Sequence, residues 1–298
     1  MISYAQLQPG RGFEARRAAL YYAQRLATPR RFRQLICRAL AAAIRRRHGR
    51  CGAQGTPEAR HAAKALDRDG LAMLEPLFAP PALQSIRAFL RHEPVVGPDG
   101  RPAWLEALPQ GTRTAAYPLP RVLACPGLIE AINAPAILRI ASDYLGCKPT
   151  LSSLGIRWSL PSEAQPLETQ LFHRDPDDWR FLKLFVYLTD VDERTGPHVF
   201  VTGSHRTAAT LRARPFSRAA LERDYGADRI RMITGPGGTT FIADTHGIHM
   251  GMPPVRAPRL VLQVQYSLLP IFAFRYEPVA LAARPRALDP YVNRLIAA

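Results

Sequence analysis

Lysine is nearly missing from this chain of 298 residues: only three stand among its forty Lys and Arg side chains. Long apolar runs are missing too. No stretch approaches the ~20 residues that a membrane helix needs, and the N-terminus lacks the apolar segment of a secretory signal. The four cysteines, Cys37, Cys51, Cys125 and Cys147, show no CxxC spacing, so neither a zinc knuckle nor a disulfide framework is indicated. The expected location is therefore a reducing cytoplasm. Internal repeats and low-complexity segments are also lacking, which excludes solenoids and disordered scaffolds. Apolar residues make up 47% of the chain, enough for a full core.

Acidic residues are scarce at the start. The first fifty residues hold twelve arginines and one acid, Glu14, and so carry most of the formal charge of +16. Such a local excess suits an acidic partner or a membrane surface, or it is the solvated face of surface helices. Phe32, Leu35, Ile36, Ala39, Leu40, Ala43 and Ile44 recur at helical spacing, which predicts a basic amphipathic helix over 30–47. An earlier helix is expected over 13–27 and a linker over 49–60, where glycines and Pro57 cluster. The organisation read from this is a basic helical extension, 1–60, followed by a domain over 61–298. A strand over 69–77, a helix over 80–93 and one or two helices over 126–145 open that domain.

After Lys148 the pattern becomes β. Segments 153–160, 167–173, 180–188, 198–203, 229–234, 238–244 and 259–268 are short, rich in branched or aromatic residues, and punctuated by Gly, Pro or Asp. They predict a mainly β, α+β fold, an antiparallel closed or double-sheet structure packed on the preceding helices. In the segment FLKLFVYL, alternation puts Lys183, Phe185 and Tyr187 on the inner face and Leu182, Leu184, Val186 and Leu188 outward.

The segment QLFHRDPDDW places His173 and Asp175 two residues apart, where extended backbone sends both side chains to one face. A distant turn, FIADTHGIHMGMPP, supplies a further histidine, His246 or His249. Two imidazoles and one carboxylate form the facial triad of non-haem Fe(II) oxygenases, which leaves open positions on the metal. Alone, an HxD pair also fits a histidine oriented by its neighbour, or a turn capped by Asp175.

Over residues 66–268 the chain resembles the phytanoyl-CoA dioxygenase family of Fe(II)/2-oxoglutarate oxygenases. The resemblance is carried by HRD at 173–175, YLTDVDERTGPHVFVTGSH at 187–205, the GTTFIADTHGIHMG turn, and an arginine in the last core strand. It implies a double-stranded β-helix of the jelly-roll or cupin type, with Fe(II), 2-oxoglutarate and O2 as cofactors. The family's ligand spacing favours His173, Asp175 and His249 as metal ligands over His246. Arg259 takes the position of the arginine that holds the far carboxylate of 2-oxoglutarate, whereas Arg256 is expected to be exposed. Val261 stands where the family often has a polar partner for that arginine, so the second contact is left unassigned. Lys183 is expected to pair with cosubstrate or substrate, or with an acid as a structural ion pair. Gln170 resembles a cosubstrate-contacting glutamine. Trp158 and Trp179 are candidate pocket walls, and Ser204 and His205 are read as structural.

The implied activity is hydroxylation of a small or carrier-linked organic molecule, coupled to decarboxylation of 2-oxoglutarate to succinate and CO2. Asp175 argues against halogenation, which replaces the carboxylate with a small residue. Two rivals are a nucleic-acid demethylase of the same chemistry and a non-catalytic basic adaptor. RLVLQVQY lacks the polar, arginine-containing pattern of the first, so nucleic acid is not the expected partner.

Overall fold

The computed structural model describes residues 14–26, 30–51, 56–163, 165–166, 168–207, 216–281 and 288–298. Among the described residues three helices come first, α1 (Ala15–Leu26), α2 (Arg30–His48) and α3 (Pro57–Asp69), followed by β1 (Leu71–Leu74) and α4 (Pro80–Arg91). Short strands β2 (Val95–Val96), β3 (Pro102–Ala103) and β4 (Thr114–Ala116) lead to α5 (Leu119–Leu123), α6 (Leu128–Ile132) and α7 (Pro135–Leu145). The β half comprises β5 (Thr150–Ser159), β6 (Phe181–Tyr187), β7 (His198–Val201), α8 (Arg218–Tyr225), β8 (Ile230–Ile233), β9 (Thr240–Ala243), β10 (His249–Gly251) and β11 (Arg259–Ser267). A last turn of helix, α9 (Pro290–Asn293), packs near the end.

Two antiparallel sheets result. The larger has the order β1-β9-β6-β11-β5-β4-β2-β3, and the smaller β10-β7-β8. All seven residues of β6 are buried, as its place between β9 and β11 demands. Its alternation runs as predicted: Leu182, Leu184 and Val186 join a core with α3, α4 and α7, whereas Phe185 and Tyr187 pack with Phe200, Ile233 and Phe241 between the sheets. Helices thus cover the outer face of the large sheet, and the small sheet covers its inner face. Among the described residues no helix is long and apolar enough to cross a membrane. All four cysteines are buried free thiols.

Three expectations are corrected. The linker over 49–60 gives way to α3 at Pro57; residues 52–55 lie outside the described residues. Thr56 caps that helix by accepting from Ala59 N at 3.2 Å, Pro57 occupies its first turn, and Gly70 (φ 78°) ends it. A Cβ on Gly70 would lie 2.5 Å from His205 Nδ1, so both its conformation and its close approach require glycine.

The strand expected over 167–173 is, over its described part, a single 3-10 turn at Glu168–Gln170 followed by two bridges, Phe172↔Phe216 and His173↔His249. Strand β10 is short and pairs with β7 through Met250↔Val199, which leaves the segment ladder partners only at its end.

The predicted stripe of α2 turns inward only in part: Leu40 and Ile44 pack against the main core, but its first members do not. Phe32 and Leu35 are 54% and 64% exposed, while Cys37 and Ala41 are buried. The cause is Arg33, whose Nη2 donates to Asp178 O at 2.6 Å and turns that side of the helix inward. We expect Leu35→Asp to change stability by less than about 0.5 kcal/mol in chemical denaturation. Ala41→Asp, which buries a charge against the main core, should cost more than about 2 kcal/mol.

Candidate metal centre

His173 and His249 face each other across an antiparallel bridge. His173 N donates to His249 O at 2.9 Å and His249 N to His173 O at 3.0 Å, which brings the ring centroids to 4.3 Å. Each imidazole is oriented by a carbonyl two residues earlier: Nδ1 of His173 lies 2.7 Å from Leu171 O, and Nδ1 of His249 lies 3.0 Å from Gly247 O. A carbonyl only accepts, so both Nδ1 atoms carry the proton and both Nε2 atoms keep a lone pair. Those lone pairs converge on Asp175, with His173 Nε2 3.5 Å from Oδ1 and His249 Nε2 3.3 Å from Oδ2. Among the described residues, these three form the one group of His, Cys, Asp or Glu side chains able to hold a metal ion; their ligand atoms lie within 4.8 Å of one another.

The electrostatics suit a cation. Burial opposes charge on Asp175, yet the Lys183 ammonium holds its carboxyl well below the usual range. Burial lowers the His249 imidazole and keeps it neutral, as a ligand must be. For His173 burial acts downward, but the neighbouring Asp175 carboxylate outweighs it and raises the ring. A metal taking up Asp175 would relieve that proton preference. The buried His173 Nε2 has no hydrogen-bond partner, as a site for a metal bond would leave it.

Arg174, between the two ligands, points the other way. Its guanidinium donates to Ser204 O (2.9 Å), His246 O (2.7 Å) and Thr207 Oγ1 (2.7 Å), tying two turns to the ligand segment. Ser204 Oγ donates to Val201 O and accepts from Ile248 N, which is the structural role expected of it. His246 is not part of the triad.

The triad opens onto a cavity of about 130 Å³, also lined by Lys183, Phe185, Tyr187 and Arg259. Among the described residues, Arg259 is buried there without an acid partner. Its Nη2 donates to Ser159 Oγ at 3.0 Å and its Nη1 to Gly196 O, and burial lowers its pKa to about 10. Ser159 is the polar neighbour that Val261 does not supply; it lies opposite Arg259 in the β5–β11 register. Gly251 leaves room for the guanidinium, since a Cβ there would sit 3.2 Å from Arg259 Nη2.

Lys183 bridges two acids, Asp175 at 2.7 Å and Asp177 at 3.0 Å, the ion-pair alternative raised by the sequence. Gln170 sits in the 3-10 turn, and its neighbour Thr169 lines the cavity. Neither tryptophan walls it: Trp158 Nε1 donates to Tyr117 OH and Trp179 lines a different cavity. Arg256 is exposed and paired with Asp192.

Three further cavity residues escaped the sequence reading. Arg157 on β5 is half-buried and, among the described residues, has no partner for its Nε; Gln263 follows on β11, and the His198 ring stacks 5.4 Å from His249. Burial, with the positive groups around it, holds His198 neutral. No local motif marks these positions; they meet the site only through sheet register.

No family model and no curated protein matches the chain. Solved structures do. EctD from S. alaskensis with bound Fe aligns with a TM-score of 0.56 at 19% identity, covering 83% of this chain and 90% of that one. The same enzyme with 2-oxoglutarate and 5-hydroxyectoine aligns at 0.52 and 21% identity, over 72% and 79% of the two chains. The non-haem alpha-ketoglutarate-dependent carbocyclase SnoK from nogalamycin biosynthesis aligns at 0.50 and 20%, over 72% and 87%. The likeness is one of fold. Antiparallel sheets with flanking helices are what the chains share, and the phytanoyl-CoA dioxygenase resemblance rests on the motifs alone.

Replacing His173, Asp175 or His249 by alanine should each reduce divalent-metal binding, measured by calorimetry, at least 100-fold. His246→Ala should bind metal within a few-fold of the parent. The reverse pattern for His246 and His249 would overturn the assignment.

Proposed function

We propose that the protein is an Fe(II)/2-oxoglutarate-dependent dioxygenase of the phytanoyl-CoA dioxygenase type, built on a double-stranded β-helix over residues 61–298. The observation that carries this reading is the convergence of two Nε2 lone pairs and one carboxylate in a cavity that also holds Arg259, a buried cation lacking an acid. Iron and 2-oxoglutarate together would supply O2 activation, with succinate and CO2 as co-products. His173, Asp175 and His249 would hold the metal, leaving positions open for cosubstrate and O2. Arg259 would take the far carboxylate of 2-oxoglutarate through its fork, with Ser159 orienting it.

Phe185, Tyr187 and Phe241 exclude water from the inner end of the cavity. Lys183 holds the carboxylate of Asp175 in place, which makes it a positioning residue in this reading. With Asp175 retained, the outcome is hydroxylation or a related oxidation of a small or carrier-linked molecule. Arg157, a second, half-buried cation in the cavity, favours an anionic group on that molecule. For partners, the outward Phe32 and Leu35 beside Arg31 and Arg38 favour an anionic membrane surface or an acidic protein.

The test is succinate release from anaerobically reconstituted protein against a panel of organic acids and acyl carriers. Failure to form succinate with any substrate, under conditions where metal binds, overturns the reading. Arg259→Lys should raise the KM for 2-oxoglutarate roughly 10- to 100-fold with metal affinity unchanged, because a point charge replaces a fork. Lys183→Ala should show the opposite split, weakening metal binding by about 10-fold or more and moving the cosubstrate KM less. If Lys183→Ala instead moves the KM alone, Lys183 contacts the cosubstrate.

A further inference from the structure

A second cavity, of about 240 Å³, lies on the other side of the ligand turn. Its walls come from α2, from residues 179–180 at the entry to β6, from Tyr144 on α7, and from the 205–207 and 244–246 turns. None of its lining residues lines the metal cavity. The partition between them is narrow: Asp175 N donates to Thr245 O at 2.9 Å, and the His246 ring bonds the backbone of Asp175.

The charge in this cavity is unbalanced. Arg33 reaches in from α2 and Arg180 from the entry to β6, with Arg38 and Arg206 at the rim. Against them stand Asp244 and Asp67. Asp67 is exposed and lies 3.5 Å from Arg206. Asp244 already accepts from Tyr144 OH at 2.5 Å and from His246 N at 3.0 Å. Asp178, just behind the wall, also acts on Arg33, so the four arginines meet three carboxylates. Arg180 stacks over the Tyr144 ring at 4.1 Å, and Arg33 gives a hydrogen bond to Asp178 O, one of the five its fork can make. Burial weakens the charged form of Arg33 more than its neighbouring acids restore it.

An arginine-rich cavity suits an anion. The guanidinium groups arrive from separate elements, which suits the several oxygens of a tetrahedral phosphate better than one planar carboxylate. The size is below the roughly 300 Å³ at which pockets for larger ligands begin, so it fits a small phosphorylated group and not a polynucleotide. We propose that this cavity is a binding site for a phosphate-bearing small molecule, anchored by Arg33 and Arg180. The ligand joins α2 to the segment that carries the metal ligands. This gives the basic helix a function that the metal centre does not require.

The test is titration of pyrophosphate into the full chain in EDTA, followed by calorimetry and by thermal melting. Neither metal nor cosubstrate enters the measurement, so its outcome is separate from that of the oxygenase reading. Saturable one-to-one binding and a raised Tm are expected, with affinity at least tenfold lower in Arg33→Gln and in Arg180→Gln. Arg45→Gln, on the same helix but outside the cavity, should bind like the parent. Should Arg33→Gln fail to fold, the rim variant Arg38→Gln is expected to fold normally and to bind about threefold more weakly. The proposal is overturned by any of four results. These are no binding at millimolar pyrophosphate, equal binding in the Arg33 and Arg180 variants, equal loss in Arg45→Gln, or displacement of pyrophosphate by 2-oxoglutarate, which would place it in the metal cavity. An oligonucleotide that binds where pyrophosphate does not would likewise exclude a small phosphorylated ligand.

Discussion

Two reciprocal backbone hydrogen bonds between His173 and His249 carry the rest of the site. They join a segment that has only just left a 3-10 turn to a three-residue strand, and so bring together histidines 76 positions apart in the sequence. In an antiparallel pair, opposite residues share a face, so both rings must leave on the same side. The carbonyls of Leu171 and Gly247 then select the tautomer, and Asp175, two residues on, meets the rings because extended backbone repeats every second residue. One change of register would send a ligand to the opposite face. Arg174 guards that register from behind by bonding the two turns that flank it.

The shortage of lysine and the burial of cations belong to one physical pattern. Arg33, Arg157, Arg174, Arg180 and Arg259 are all largely withdrawn from water. A guanidinium tolerates this better than an ammonium does, because it is weakly hydrated and spreads donors over several carbonyls and rings. Arg174 and Arg259 show how: both bond mainly to carbonyl and hydroxyl oxygens. The single lysine at the metal cavity is held by two carboxylates, which is what a compact charge needs when buried. Replacing these arginines by lysine would leave the sign of the charge and lose most of its solvation.

What could be read from the sequence was whatever depends on local period. Alternation in FLKLFVYL put Lys183 and Phe185 inside and the leucines outside, and the HxD spacing put the His173 and Asp175 side chains on one face, both as found. Ser159, His198 and Arg157 were invisible because each joins the site through a strand partner far away in sequence. The 3-10 turn at Glu168–Gln170 was misread for a related reason: the composition permits a strand, and only the missing ladder partner forbids it. Helix α3 had a legible start in Thr56-Pro57-Glu58, but the glycines before it drew attention to a linker.

Helix α2 shows how a tertiary demand overrides an amphipathic pattern. Seven apolar positions define a stripe, and hydrophobic burial alone would turn Phe32 and Leu35 inward. Yet the segment after the metal ligands turns sharply into β6 and leaves buried polar groups at Asp178: a carboxylate that accepts from Trp179 N and Leu269 N, and a carbonyl that needs a donor. Leaving such a carbonyl unpaired costs about 1–3 kcal/mol, comparable with what exposing one large apolar side chain gives up. Gln24 from α1 satisfies the carboxylate at 2.9 Å, and Arg33 from α2 satisfies the carbonyl at 2.6 Å. The two N-terminal helices are therefore docked by polar groups beside the metal centre, and the apolar stripe takes the orientation that remains. A helix held in this way presents Phe32 and Leu35 to solvent while its Arg33 and Arg38 line the second cavity.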